Sequence, residues 1–174
     1  MKGVCSSMNR RAFDNKLHML ALSGVMSALI MVVTMYVSIP IPNTNGAYIN
    51  AGDALVYTAS AFVGGWWGVA CAALGSALAD ILIGSAIYAP ATLVIKGAMA
   101  LIATCIMKRS GKFTPVLAIA VGGAVMPVGY FLYETVLYGA QTALVSVPMN
   151  LIQYVGGVVI GALIIMPLKR VIKK

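Results

Sequence analysis

The sequence contains little charge and very little acid. Only 9% of its 174 residues are charged, whereas 61% are hydrophobic. Four acidic residues stand against twelve lysines and arginines, which gives a formal net charge of +8. Eleven of those twelve cations fall in three clusters outside the apolar segments. The basic balance therefore indicates membrane topology and contact with anionic lipid, and it gives no support for a nucleic acid partner.

Cysteine and histidine are also scarce. The three cysteines are odd in number, and the predicted topology places all of them on the cytoplasmic side or in the inner half of the membrane, which disfavours a disulfide framework or a zinc site. The only histidine, His18, begins the first apolar segment, so the predicted cavity has no imidazole for nickel or cobalt. No Gly-x-x-x-x-Gly-Lys-Ser/Thr loop is present. We predict no metal, no cofactor, no ATP binding through such a loop and no enzymatic activity.

The long apolar runs predict an all-α integral membrane protein with six transmembrane helices. A hydrocarbon core about 30 Å thick needs about 20 apolar residues per helix. One transmembrane domain covers residues 1–174, with basic cytoplasmic tails at about 1–16 and 169–174. We expect a kink at Pro127 in the fifth helix, and the second helix is the weakest of the set. The predicted helices cover residues 17–37, 51–63, 67–83, 90–107, 115–138 and 148–168.

The distribution of lysine and arginine predicts the orientation. The loops predicted at 38–51 and 139–147 contain neither residue, so both fit the outer face. With six helices, both termini and the cluster at 108–112 lie in the cytoplasm. Five helices would place the basic C-terminal tail outside, and the positive-inside rule therefore favours six.

The ionisable side chains inside the apolar segments collect in the outer half of the predicted membrane. Asp53, Asp80, Lys96 and Glu134 all lie within about two turns of the outer ends of their helices. Such groups cost roughly 2.5–3.5 kcal/mol each on insertion scales, so they usually face a bundle interior or a wet cavity. The inner halves of the same helices are almost entirely apolar. We therefore predict a cavity that opens outward and is sealed inward, which argues against a simple channel.

Structural roles remain open for several of these residues. Asp80 and Lys96 flank a tight turn at similar depth and could neutralise each other. Asp53 could be a helix cap. Glu134 has no obvious partner except Lys96 or a ligand, which favours a functional role.

Four segments resemble the substrate-binding S components of energy-coupling factor (ECF) vitamin transporters. The resemblance spans nearly the whole chain and is closest to the subgroup for riboflavin-type, hydroxymethylpyrimidine and pyridoxine uptake. The segments are AYINAGD at 47–53, GSALAD at 75–80, YAPAT at 88–92 and Lys96-Gly97.

This resemblance implies a protein of a prokaryotic plasma membrane that binds a vitamin from outside with high affinity. It further implies a lid in the loop after helix 1, and docking on a transmembrane T component energised by two cytoplasmic ATPases. The family's Ala-x-x-x-Ala docking motif matches Gly24 and Ala28, a departure that keeps both residues small. With the polar positions above, the expected substrate-binding residues are Asn50, Asp53, Asp80, Tyr88, Lys96, Tyr130, Glu134, Asn150 and Gln153.

Two other classes of function stay open. A stand-alone ion- or proton-coupled carrier would use the same buried charges, but it should show polar groups at the midplane and internal repeat symmetry. An intramembrane aspartyl protease would need a dyad that shares a proton, and Lys96 would hold Asp80 ionised. The mixed lining favours pyridoxine or a pyrimidine over riboflavin as the solute.

Overall fold

The computed structural model describes the backbone of residues 2–40, 48–109, 111 and 113–172, and the side chains of 15–39, 50–109, 111 and 113–168. Two short strands, β1 (Ser38–Pro40) and β2 (Tyr48–Asn50), pair antiparallel. We call the end of the bundle that carries this pair the hairpin end. The helices are α1 (Lys2–Tyr36), α2 (Gly52–Phe62), α3 (Gly65–Leu82), α4 (Ala89–Met107), α5 (Thr114–Gly123), α6 (Val125–Tyr138) and α7 (Ala140–Ile172).

Within the described residues, five helical segments are long and apolar enough to cross a membrane, which confirms an all-α membrane bundle. They are Asn15–Tyr36, Gly65–Leu82, Ala89–Met107, Thr114–Tyr138 and Ala140–Leu168. Helix α2 has 11 residues and is about 16 Å long, roughly half of the hydrocarbon core. The second predicted helix is therefore present but too short to span the core alone.

Contacts at both ends of α2 show that it runs parallel to α4 and α7. At its start, Asp53 meets Lys96 of α4, and seven residues later the carbonyl of Ser60 accepts a hydrogen bond from Thr104 of α4 at 3.4 Å. Helix α2 therefore begins beside the second turn of α4 and continues almost to its end. The hairpin lies before it in the chain.

Contacts between the other helices show that the direction of the chain alternates from one pass to the next. Cys71 and Gly75 of α3 meet Ser23 and Ser27 of α1, so these two helices run in the same direction. Helix α6 is antiparallel to α7, since both Glu134 with Ser146 and Met126 with Gln153 are in contact. These helix directions are the ones expected for a chain that passes through the bundle six times. They place the start of α1 and the end of α7 together, opposite the hairpin end.

Small residues set the distance between several helices. A Cβ built on Gly75 would lie 2.6 Å from the carbonyl oxygen of Ser27, and one on Gly122 would lie 2.7 Å from that of Met99. Neither position can hold a side chain without moving a neighbouring backbone. The residues that fill the core between the helices include Ile30, Met99, Ile119, Met126 and Ile165.

The boundary predicted between the last two helices is wrong, and the kink predicted at Pro127 lies three residues earlier. The loop expected at 139–147 is helical, because Gly139 ends α6 with a φ of 85° and α7 begins at the next residue. Pro148 therefore lies inside α7, where it gives up one helical hydrogen bond. The fifth predicted helix is interrupted at Ala124, three residues before Pro127, whose ring lacks an N–H for the preceding turn.

Helix α1 is longer than predicted. It begins at Lys2 because the polar residues before position 17 include neither glycine nor proline after Gly3. The loop expected at 38–51, which the resemblance predicts to be a lid, contains β1 and β2 at its two ends, and its residues 41–47 lie outside the described residues. Lys112 and the last two lysines also lie outside them. The side chains of the other basic tail residues before 15 and after 168 are likewise outside them.

Candidate functional site

A polar cavity of about 320 Å³, measured with the space at its mouth, lies near the hairpin end. It is enclosed by the ends of β2 and α3 and by α4, α6 and α7. Seven of the nine predicted site residues line it, and Thr92 is an addition that the sequence analysis missed. The lining residues are Asn50, Asp80, Tyr88, Thr92, Tyr130, Glu134, Asn150 and Gln153.

Two helix faces supply one wall of the cavity. Tyr88, just before α4, is followed at four-residue spacing by Thr92 and, below the cavity, by Lys96; Tyr130 and Glu134 have the same spacing on α6. The faces are joined where the hydroxyls of Thr92 and Tyr130 approach to 2.8 Å. The same spacing could have identified Thr92 from the sequence, since it lies between two residues already selected.

The two predicted residues that do not line the cavity form a buried ion pair next to it. Lys96 Nζ bonds to Asp53 Oδ1, and the two residues are 2% and 0% exposed. Lys96 Nζ also lies 3.5 Å from Met126 Sδ and 5.8 Å from the centre of the Tyr130 ring. Asp80 was the counter-ion that the sequence suggested for Lys96, and the pair with Asp53 was not predicted.

The interpretation of Asp53 as a helix cap is wrong. The residue before α2 is Ala51, and no side chain caps the helix from that position. Asp53 lies within the first turn, where its carboxylate faces Lys96 and Gln153. The backbone turn into α2 is held instead by Asn50, whose Oδ1 accepts a hydrogen bond from Gly52 N–H at 2.9 Å.

Gln153 connects the hairpin to the ion pair. Its Oε1 accepts a hydrogen bond from the backbone N–H of Asn50 at 3.0 Å. Its Nε2 donates to Asp53 Oδ2 at 2.8 Å and lies 3.3 Å from Met126 Sδ. One amide side chain of α7 thus joins the last residue of β2 to the first turn of α2, so the hairpin is held at the cavity wall.

Glycines allow α7 to approach the ion pair closely. A Cβ on Gly157 would lie 2.9 Å from the Cβ of Asp53, and one on Gly161 would lie 2.9 Å from the Tyr57 ring. This pair of glycines at four-residue spacing, interpreted from the sequence as ordinary packing, is what brings Gln153 within reach of Asp53.

Glu134 is held by hydroxyl groups within the cavity wall. Tyr88 donates to its Oε1 at 3.3 Å, and Ser146 of α7 donates to its Oε2. Burial and the Glu134 carboxylate raise the pKa of the Tyr88 hydroxyl above its ordinary value, which keeps it protonated as a donor. Ser146 was missed because residues 139–147 were predicted to be a loop.

The side-chain amide of Asn150 can donate a hydrogen bond to a ligand. The residue is 6% exposed, and within the described part of the chain its Nδ2 has no hydrogen-bond partner. A buried amide without an acceptor costs free energy, so a ligand that brings an acceptor to this position gains from it. Asp80, 2% exposed, is also part of the lining.

The lining therefore combines acceptors, donors and aromatic rings around a small volume. Beyond Lys96, towards the chain termini, the bundle is filled by apolar side chains that include Met99, Ile119 and Ile165. The cavity thus has a closed floor. The described residues contain no cluster of three or more His, Cys, Asp or Glu that could hold a metal ion.

The predicted docking residues lie on a different surface. Gly24 and Ala28 are both exposed, and a Cβ built on Gly24 meets no atom within 4 Å. The side of α1 that packs on α3 is formed by Ser23, Ser27 and Ile30. The small face of α1 is therefore available to another helix.

Comparison with known proteins gives two findings. The family model described as "ECF-type riboflavin transporter, S component" matches residues 14–170. A protein of Pyrococcus woesei described as "Uncharacterized protein in gap 3'region" is 37% identical over 133 residues, which cover 76% of this chain and 88% of that protein.

Proposed function

The chain belongs to the family of S components of ECF-type riboflavin transporters, and on that basis we propose that it is the vitamin-binding membrane subunit of an ECF-type importer. It captures a small heteroaromatic vitamin in the cavity at the hairpin end. The polar cavity closed on one side by an apolar core supports this proposal, because such a cavity can hold a solute and the described core residues beneath it leave no continuous water path.

The proposed vitamin is pyridoxine or hydroxymethylpyrimidine, with riboflavin next. The cavity encloses no more than about 320 Å³ even with the space at its mouth included, which favours a single ring. Carboxylates, amides and phenols suit ring nitrogens and hydroxyl groups. Riboflavin remains in the test panel because the family description names it.

Import would require partners. We propose docking on a transmembrane T component and two cytoplasmic ATPases, with Gly24 and Ala28 as the contact on α1. The exposed, unobstructed surface at Gly24 supports this position, since small residues allow two helix backbones to approach closely.

The proposed setting is the plasma membrane of a prokaryote, with both termini in the cytoplasm. The alternating helix directions and the described cations Lys16, Lys108 and Arg109 support it, because these cations lie at the end away from the hairpin. Cysteine labelling of intact cells tests the orientation. A cysteine at position 45 should react without permeabilisation, and one at 109 only after it.

Binding is tested with the detergent-purified chain by thermal shift and native mass spectrometry against a panel of vitamins. We expect one member to raise the melting temperature and to bind one to one. Proteoliposomes containing the chain alone should show no uptake, whereas uptake without partners would replace the proposal with a stand-alone carrier.

A further inference from the structure

We propose that the cavity takes the unphosphorylated, neutral or cationic form of its ligand and excludes the phosphate ester of the same compound. The inference deepens the proposed function and rests on it. It assigns a charge class to the substrate, which neither the family description nor the size of the cavity specifies.

The charge balance around the cavity is negative. Asp80 and Glu134 line it, and the adjoining ion pair contributes Asp53 and Lys96. Three carboxylates against one ammonium give a formal charge of −2 when all four groups are ionised. All four residues are at most 3% exposed, so water screens these charges poorly.

The other described cations lie at the opposite end of the bundle from the cavity. Among the described side chains, Lys16 lies near the start of the membrane-spanning part of α1, and Lys108 and Arg109 follow the end of α4. These positions are at the end of the bundle away from the cavity. A phosphate group, with a charge close to −2, would therefore enter a field of its own sign, and no lysine or arginine among the described side chains is free to meet it.

Helix N-termini, the usual backbone sites for phosphate, are also occupied near the cavity. At the start of α2 the N–H of Gly52 already bonds to Asn50 Oδ1, and the carboxylate of Asp53 lies in the first turn. At the start of α4, Pro90 has no N–H to donate. Neither terminus offers the set of free donors that holds a phosphate.

The same groups can bind neutral hydrogen-bond donors and cations. The Glu134 and Asp80 carboxylates accept hydrogen bonds from hydroxyl, amine or protonated ring nitrogen atoms. Asn150 Nδ2, without a partner in the described residues, can donate to a ring nitrogen or carbonyl of the ligand. The arrangement thus selects by charge as well as by hydrogen bonding, since like charge placed against the wrong ligand is an effective means of rejection.

Matched pairs of compounds test the inference by isothermal titration of the purified chain. The pairs are pyridoxine and pyridoxine 5′-phosphate, hydroxymethylpyrimidine and its phosphate, and riboflavin and flavin mononucleotide. For whichever ring binds, we expect the phosphate ester to bind at least about 100-fold more weakly, as repulsion by two poorly screened charges requires.

Variants separate the charge effect from shape. Glu134→Gln removes one negative charge and should reduce the ratio of the two affinities by about tenfold. Val136→Ala, at a residue on the same helix that is 84% exposed and outside the cavity, should leave the ratio unchanged. Equal affinities for ester and parent compound would overturn the charge selection and leave the proposed vitamin binding standing. If no compound of any pair bound, both would be overturned.

Discussion

Replacing Lys96 by methionine should destabilise the protein strongly, and replacing Asp53 as well should restore much of the loss. The two residues form a direct ion pair and are 2% and 0% exposed. Lys96→Met keeps the length of the side chain but leaves the Asp53 carboxylate buried without its counter-ion. Breaking a buried pair in this way costs about 3–5 kcal/mol.

The expected change in melting temperature follows from that cost. For a chain of this size about 1 kcal/mol corresponds to about 2–4 °C, so Lys96→Met should lower the melting temperature by about 6–20 °C. In the double variant, Asp53→Asn removes the stranded charge and still offers a side-chain oxygen to Gln153 Nε2. A coupling of about 2–3 kcal/mol should return about half of the loss.

The melting temperature in detergent is measured for the unaltered protein, Lys96→Met, Asp53→Asn and the double variant. A fifth protein provides the control. Asp80→Asn combined with Lys96→Met tests the alternative counter-ion that the sequence pointed to. We expect this second double variant to recover less than the first. If it recovered more, or if Asp53→Asn with Lys96→Met were as unstable as Lys96→Met alone, the assignment of Asp53 as the main partner would be refuted.

Three further predictions concern the cavity and the docking surface. Glu134→Gln should weaken vitamin binding by at least about tenfold, or about 1.4 kcal/mol, in a titration, because an amide replaces an acceptor-only carboxylate; unchanged affinity would remove Glu134 from the site. Gly157→Ala should cost about 1–3 kcal/mol because its Cβ would lie 2.9 Å from that of Asp53. Its neighbour Gly156, where a Cβ meets nothing within 4 Å, is the matched control, and Gly156→Ala should not lower the melting temperature. Ala28→Trp should keep vitamin binding and abolish uptake by the reconstituted complex, whereas loss of both would place Ala28 inside the bundle.

The sequence predicted the depth of the polar groups in the membrane better than it predicted which side chains they contact. Counting residues from the helix ends placed Glu134 and Lys96 correctly near the hairpin end. It could not show that α2 runs beside α4, and this arrangement gives Lys96 its contact with Asp53. Depth follows from the rise per residue, whereas the choice between two carboxylates depends on how helices pack.

The missed residues have specific causes. Ser146 lies in a segment that was predicted to be a loop because Pro148 was interpreted as the first turn of a helix. A proline inside a long apolar helix costs one hydrogen bond, and the remaining turns of α7 tolerate it. The family resemblance predicted the lid after helix 1, and its central residues lie outside the described ranges.

Because α2 is short, the chain beside it includes backbone outside any helix. The side of the cavity next to α2 should therefore tolerate fewer substitutions than the opposite side. On the side of α2, backbone outside any helix depends on specific partners: Ala51 N–H bonds to Val37 O, and Asn50 N–H bonds to Gln153. Replacing Gln153 would therefore disturb folding together with binding.

On the opposite side, Thr92 and Glu134 project from complete helices whose backbone groups are satisfied within each helix. We expect exchange of these side chains to change what the cavity binds and to leave the backbone hydrogen bonds intact. Relatives that bind different vitamins should therefore vary first at the α4 and α6 positions and retain an acceptor at position 153. A redesign of ligand preference should begin on the same wall.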